Sequence, residues 1–263
     1  MAKRRVKSLL DAINSNVGKT PVEESFLLEL RRSMEATALK DVRNPSKSYK
    51  PSSMQCIRNM YYQRTGHKFT PSANYIMSGV TSCGSFIHEY IQAHISKMKE
   101  NGYDCEWVDV AEFIENGDFP NIEVVEHVGA ETKLYDHLLN LSFRCDGLIK
   151  YRGKYYIIEI KSEKRDKWYK RTGVDPSHYP QGTAYSCTLN VPDVIFIYVN
   201  RDIFDLKTYM FHPTEDMRLE FVNKINDCES YVAELKVPPK PENAPIKACQ
   251  YCSYVEECKR ESI

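Results

Sequence analysis

No stretch of this 263-residue chain approaches the roughly 20 consecutive apolar residues that a bilayer-spanning helix requires. The N-terminus also lacks the short apolar region of a secretion signal, so the expected location is the cytosol. Net charge is missing as well. Lys+Arg and Asp+Glu balance at 36 each, so no global field draws the chain to nucleic acid and any basic surface must be local. The basic residues concentrate in "AKRRVK" at 2–7 and "EKRDKWYKR" at 163–171, each of which could equally be a solvated tail or loop. An ATP-binding loop is absent: "NVGKT" at 16–20 resembles the end of one, but the motif needs glycine five positions before Gly18, where Ile13 stands. There is no internal repeat, and no low-complexity segment beyond the proline-rich "VPPKPENAP" at 237–245.

What the chain does have is length enough for a substantial core, in one large domain or two small ones, and nine cysteines. In a reducing compartment clustered thiols bind metal more often than they form disulfides. Cys83, Cys105, Cys145, Cys187 and Cys228 stand singly, mostly beside apolar residues, and read as small buried hydrophobes. Cys249, Cys252 and Cys258 fall within the last fifteen residues, spaced so that all three sulfurs can reach one metal centre. A fourth ligand must then come from elsewhere in the chain.

Apolar periodicity at Phe26, Leu27, Leu30 and Met34 predicts a helix over 22–42, closed by the prolines of "NPSKSYKPSS". A second helix is expected over 53–65, capped by Ser52 or Ser53, ended by Gly66 and carrying Cys56 in its first turn. A longer one is expected over 75–100 with Ile87, Ile91 and Ile95 on its apolar face. "IEVVEHV", "LNLSFRCDGLIKY" and "KYYIIEIKS" then predict three strands within 122–161. A helix over "PSHYPQGTAYSCTLN", strands over "DVIFIYVN" and "LKTYMFH", and a long amphipathic helix from Glu215 lead to the proline-rich connector. The fold class is therefore α/β: a central mixed sheet of about five strands flanked by helices, with an N-terminal helical region.

The chemistry concentrates in "RCDGLIKYRGKYYIIEIKS". If this is a hairpin turning at Arg152-Gly153, residues whose numbers sum to 305 are paired, and Asp146 faces Glu159 on the same side as Lys161. Opposed carboxylates repel and raise one another's pKa unless a cation sits between them. A magnesium or manganese ion takes oxygen ligands of this kind, activates water and stabilises charge on a phosphate under attack. The implied reaction is metal-assisted phosphodiester hydrolysis. The competing reading is a surface hairpin with an exposed Glu–Lys pair, against which the apolar "YYII" argues, since charges ending a buried strand need a reason.

An Asp-Gly followed thirteen residues later by Glu-Ile-Lys resembles the PD-(D/E)XK nuclease superfamily, and three further features are similar to its RecB-like exonuclease branch. "GSFIHEYIQ" matches that branch's helix bearing a metal-binding histidine, here His88. "QGTAY" matches its Gln-x-x-x-Tyr motif at Gln181 and Tyr185. The tail "CQYCSYVEEC" matches the cysteines of its iron-sulfur members, among them the AddB nucleases and the CRISPR-associated spacer-acquisition nucleases, whose first cysteine lies far upstream, a place that Cys56 fits. The resemblance covers about residues 52–258.

The resemblance implies a restriction-endonuclease-like domain over 51–263 after a helical extension over 1–50. It implies His88, Asp146, Glu159 and the Ile160 carbonyl as metal ligands, and Lys161 as the catalytic lysine. Gln181 and Tyr185 would position the DNA strand or the Lys161 and Glu159 side chains. Glu131 would be an additional acidic residue, with Glu126 as its competitor. It also implies a [4Fe-4S] cluster on Cys56, Cys249, Cys252 and Cys258, clamping the tail onto the N-terminal helices, with a structural zinc as the alternative.

The expected activity is a Mg- or Mn-dependent DNA exonuclease that prefers single-stranded ends, 5′ to 3′ by family analogy, working beside a partner helicase or recombination protein. Such an enzyme suits a phage or bacterial replication, recombination or repair system. Lys164, Arg165, Lys167, Lys170 and Arg171 would supply the local basic surface, with Trp168 and Tyr169 stacking on unpaired bases. A structure-selective or nicking endonuclease and a non-catalytic DNA-end-binding protein stand as alternatives.

Overall fold

The computed structural model describes residues 21–40, 46–70, 75–128, 131–241, 249 and 252–260. The "AKRRVK" and "NVGKT" segments and residues 242–248, which include the end of the connector, lie outside the described residues. The chain divides into two compact units, one within Met1–Val42 and Pro71–Gly79, the other within Arg43–Thr70 and Val80–Ile263. In the first, helix α1 (Val22–Lys40) forms as the apolar periodicity predicts, with acidic Glu23 and Glu24 in its first turn.

The second unit is built on a five-stranded mixed sheet. Its strands are β1 (Cys105–Val108), β5 (Gly147–Tyr151), β6 (Lys154–Glu163), β7 (Val194–Asn200) and β8 (Leu206–Phe211), in the spatial order β1-β5-β6-β7-β8. All neighbours are antiparallel except β6 and β7, which run parallel. A smaller sheet holds β2 (Ile122–Val128), β3 (Glu131–Asp136) and β4 (Leu141–Phe143). The expected central mixed sheet is present, with one change of membership: "IEVVEHV" belongs to the small sheet, and its place is taken by β1, whose sequence is only four residues long.

The β5–β6 hairpin has the predicted register, from Tyr151 opposite Lys154 to Gly147 opposite Ile158. Arg152 and Gly153 both adopt positive φ (49° and 79°), as a two-residue turn matching the twist of its strands requires. The expected single strand over 139–151 is, however, broken. The chain leaves β4 at Phe143, crosses Arg144–Asp146 and enters β5 in the other sheet. Asp146 thus sits at a switch between sheets. Gly147 is needed beside it because an added Cβ would collide with the Trp107 ring.

Helices cover both faces of the central sheet, and period-two alternation sorts its residues between them. Ile158, Ile160, Ile197 and Val199 pack against Ile87, Ile91 and Ile95 of helix α3 (Tyr75–Ile95). Each such fully buried side chain is worth about 2 kcal/mol. Ile157, Phe196 and Tyr198 face the other way, into a core shared with helix α6 (Tyr179–Thr188) and helix α7 (Glu215–Ala233), the latter capped by Thr214. Glu159, Lys161 and Glu163 alternate with the isoleucines and belong to this second face.

The remaining helices are α2 (Ile57–Arg64), α4 (Val110–Glu115), α5 (Arg165–Tyr169) and α8 (Val255–Arg260). Asp109 caps α4 by accepting from the Ala111 and Glu112 N–H groups. Helix α2 starts later than expected: Pro51–Ser53 form a short 3-10 turn, and Cys56, in an extended conformation, is the residue that precedes the first turn. Gly66, at positive φ (76°), follows its C-terminus as predicted. Of the five single cysteines, Cys105, Cys145 and Cys228 are buried and Cys187 is half-buried. Cys83 is exposed, against expectation: it stands one helical turn before Ile87, ahead of the stretch of α3 that is buried.

Candidate active site

The sheet switch turns the Asp146 carboxylate toward the end of β6. One oxygen, Oδ2, accepts the Ile160 N–H at 2.6 Å, and the other, Oδ1, lies 3.1 Å from His88 Nδ1. Gln92, one helical turn beyond His88 on α3, donates to the Asp146 backbone carbonyl at 2.7 Å. Asp146 is thereby held from both its ends. The sequence carries one signal for Gln92: an amide in the same stripe as Ile87, Ile91 and Ile95 needs a buried partner.

Glu131, at the start of β3, completes this side of the site. One ligand atom each from His88, Glu131 and Asp146 lie within 4.8 Å of one another, close enough to share a cation. Glu126 goes elsewhere. It is exposed and pairs with Arg144 at 3.1 Å, after a register shift in the β2–β3 ladder between Val124 and Glu126. Ile160 contributes its N–H to Asp146, and its side chain faces α3, so only its backbone is directed to the site.

The opposite wall is a chain of hydrogen bonds. Lys161 Nζ donates to Glu159 Oε1 at 2.5 Å and to Gln181 Oε1 at 2.8 Å. Gln181 Nε2 donates to the Tyr185 hydroxyl at 2.8 Å, the two residues being one turn apart on α6. The amide, polarised in this way, sets the direction of the lysine. His88, Asp146, Glu159, Lys161, Gln181 and Tyr185, drawn from four separate segments, are thus brought together, with Glu131 beside them.

Electrostatics set Glu159 apart. It is 2% exposed, and its buried Oε2 has no hydrogen-bond partner among the described residues. Burial first, and then the charge of Asp146, push its pKa well above the usual carboxylate range, although Lys161 and His88 pull the other way. Burial alone would lower His88, but its hydrogen bond to Asp146 and that carboxylate's charge outweigh this and raise it. Tyr185 is raised well above the phenol range by burial and by Glu159 and Asp146, so it remains protonated. An acid this deeply buried under the charge of Asp146, with an oxygen left unpartnered among the described residues, fits a hard divalent cation.

The basic stretch after β6 divides in two. Arg171, its side chain 7% exposed, is bonded to Glu163 and Asp175, and Lys167 joins the same two carboxylates at 2.8 and 3.0 Å. The Arg171 guanidinium also lies 4.0 Å from the centre of the Tyr198 ring. Arg171 and Lys167 are scaffold, and Trp168 does not stack on bases: it is buried at 4% exposure, and its indole N–H donates to the Tyr198 carbonyl. Helical spacing in α5 turns Trp168 inward and leaves Lys164, Arg165, Tyr169 and Lys170 exposed.

The tail thiols come near enough to Cys56 for its charge to act on Cys252. Burial raises the Cys252 thiol, the Tyr254 N–H opposes this, and the nearby Cys56, Cys258 and Cys249 sulfurs add to it. Donors converge on the same sulfurs: Arg58 Nη1 lies 3.2 Å from Cys258 Sγ, the Tyr254 N–H 3.4 Å and Asn59 Nδ2 3.7 Å from Cys252 Sγ. Arg58 also donates to the Pro238 carbonyl at 2.7 Å, tying α2 to the connector. N–H donors directed at two of the four thiols, Cys252 and Cys258, fit a bound metal or cluster, because such donors stabilise thiolates.

No known family and no curated protein matches this chain. Among solved structures it is similar to the protein SSO0001, at 16% identity and a TM-score of 0.46, over 90% of this chain and 97% of that one. It is also similar to the alkaline exonuclease LHK-Exo from Laribacter hongkongensis, at 12% identity and a TM-score of 0.38, over 88% of this chain and 97% of that one. The same exonuclease in complex with dAMP gives 13% identity and a TM-score of 0.37 over the same shares.

Proposed function

We propose that this protein is a divalent-metal-dependent DNA nuclease, an exonuclease that prefers single-stranded ends and degrades them 5′ to 3′. The observation that carries the proposal is Glu159: a buried carboxylate whose Oε2 has no partner among the described residues, under the charge of Asp146 and tied to Lys161. Two acids are stable in that relation when a cation lies between them. His88, Glu131, Asp146, Glu159 and the Ile160 carbonyl would hold magnesium or manganese. The ion, when bound, lowers the pKa of a water and neutralises charge on the scissile phosphate.

The chain's own groups do the rest. Lys161, aimed by Gln181, orients the attacking water and offsets the charge that builds on the phosphate oxygens. Tyr185 stays protonated behind Gln181 and keeps that amide in one orientation. Asp146, locked by Ile160 and Gln92, cannot rotate away from the site. The exposed Lys164, Arg165 and Lys170 provide a local attraction for a phosphate backbone in a chain that has no net charge to offer. Cys56, Cys249, Cys252 and Cys258 would hold a [4Fe-4S] cluster that fastens the C-terminal segment to α2, a role for the chain's fold rather than for hydrolysis.

One preparation tests both parts. Anaerobically purified protein is expected to be brown, with broad visible absorption. With manganese it should release nucleotides from strands labelled at the 5′ end before those labelled at the 3′ end, and a Lys161→Ala variant should lose at least about a thousandfold in rate. A colourless zinc protein would overturn the cluster. Cutting of covalently closed single-stranded circles would replace the exonuclease with an endonuclease. Unchanged cleavage by the Lys161→Ala variant would remove the catalytic assignment, and DNA binding without any cleavage would make the protein an end-binding accessory factor.

A further inference from the structure

The row formed by Gln181 and Tyr185 on α6 continues outward for one more turn, to His178. Its ring stacks on Phe196 (6.0 Å between centroids, 12° between planes) and on Tyr198 (5.8 Å, 20°). Those two residues are the β7 partners of Glu159 and Lys161 in the parallel ladder. The imidazole therefore lies over the strand next to the lysine, near enough for the Lys161 ammonium to act on its charge.

Its protonation is decided by a neighbour. Tyr198 is fully buried, and its hydroxyl oxygen already accepts the Asp175 N–H at 3.0 Å. The phenolic proton needs an acceptor, and among the described residues only His178 Nδ1, at 2.9 Å, provides one. Nδ1 is thus an acceptor, and the ring is the neutral tautomer with its proton on Nε2. Burial, followed by the Lys161 ammonium, lowers the His178 pKa to about 4, which agrees with a ring that stays neutral near pH 7. Nε2 has no hydrogen-bond partner among the described residues. The half-buried ring thus offers one fixed N–H donor on the face of the sheet that also carries Lys161.

We propose that His178 is a substrate-contacting residue, whose Nε2–H donates to a non-bridging oxygen of the phosphodiester held beside Lys161. This rests on the nuclease reading but is tested apart from it, by binding of a labelled single-stranded oligonucleotide in EDTA, where no hydrolysis occurs. His178→Phe keeps the stacked ring and removes the donor. It is expected to weaken binding about tenfold, the effect of one hydrogen bond to a charged acceptor. His178→Gln, which restores an N–H, should recover part of that loss, and long-range nitrogen–proton correlation in the wild-type protein should find the proton on Nε2.

In manganese the same Phe variant should raise KM about tenfold and leave kcat nearly unchanged, since the contact is made in ground and transition states alike. Equal affinity of wild type and His178→Phe, or a proton on Nδ1, would overturn the proposal. If the Phe variant does not fold, the Gln variant and the tautomer still decide it. Wild-type protein that binds in EDTA but does not cut in manganese would overturn the nuclease reading, while the binding comparison would still judge His178.

Discussion

Glu159 and Glu163 stand on the same face of β6, both almost fully buried, and the chain treats them in opposite ways. Glu163 is surrounded by cations: Arg171 and Lys167 both reach it, and their hydrogen bonds overcome the cost of burial and hold its pKa below the usual carboxylate range. Glu159 has one lysine against a second carboxylate and keeps an oxygen without a partner among the described residues. The first arrangement is complete within the protein and stiffens the turn into α5. The second is one positive charge short. Buried acids thus become scaffold or site according to whether the fold closes their account with its own cations.

Removing the cation from the completed cluster should have the largest effect on stability. Arg171→Leu leaves Glu163 buried and short of its main partner, and is expected to lower stability by about 3 kcal/mol in urea titrations. Activity per folded molecule should be retained, and a variant that kept full stability but lost cleavage would reverse the two roles. A smaller change of opposite sign is expected at the other acid. Glu159→Gln removes a charge the fold does not balance, so the metal-free protein should gain about 1 kcal/mol in thermal unfolding. It should also lose the stabilisation that manganese gives the wild type, and a loss of metal-free stability would show that Glu159 is already compensated.

The smallest effect is the pH dependence. Glu163 and Asp175 both have folded-state pKa values below the ordinary range, so their contribution is fully present above about pH 4 and is lost as pH falls through the lowered values. Glu159, raised, acts in reverse. Its ionisation is easier in the unfolded chain, so its contribution falls as pH climbs from the ordinary carboxylate range toward the raised value. Stability curves from acid to neutral pH should therefore lose their acid limb in Arg171→Leu and their decline toward neutral pH in Glu159→Gln. Superimposable curves for wild type and both variants would remove the distinction.

Much of the site could be read before folding because its geometry is local. A two-residue turn fixes the register of the strands it joins, so Arg152-Gly153 already placed Gly147 opposite Ile158 and brought Asp146 beside the end of β6. Gln181 and Tyr185 needed only the spacing of one helical turn. Glu131 and Glu126 could not be separated in this way, because the choice depends on an irregularity in the β2–β3 ladder. The break at Arg144–Asp146 was also hidden: nothing in "LSFRCDGL" marks where a chain moves from one sheet to another. Trp168 and Arg171 read as surface because a basic, aromatic stretch looks the same whether it meets solvent or two acids and a tyrosine ring.

By itself, then, the sequence determined the fold class, the hairpin, the order of the helices and the types of group available for chemistry, since these follow from periodicity, turn residues and side-chain pKa. Tertiary structure decided which of those groups meet: His88 and Glu131 with Asp146, Lys161 with Gln181, Cys56 with thiols nearly two hundred residues away. It also decided which acid is left unpaired. Burial and the count of neighbouring charges are properties of the packed chain, and no local pattern in the sequence encodes them.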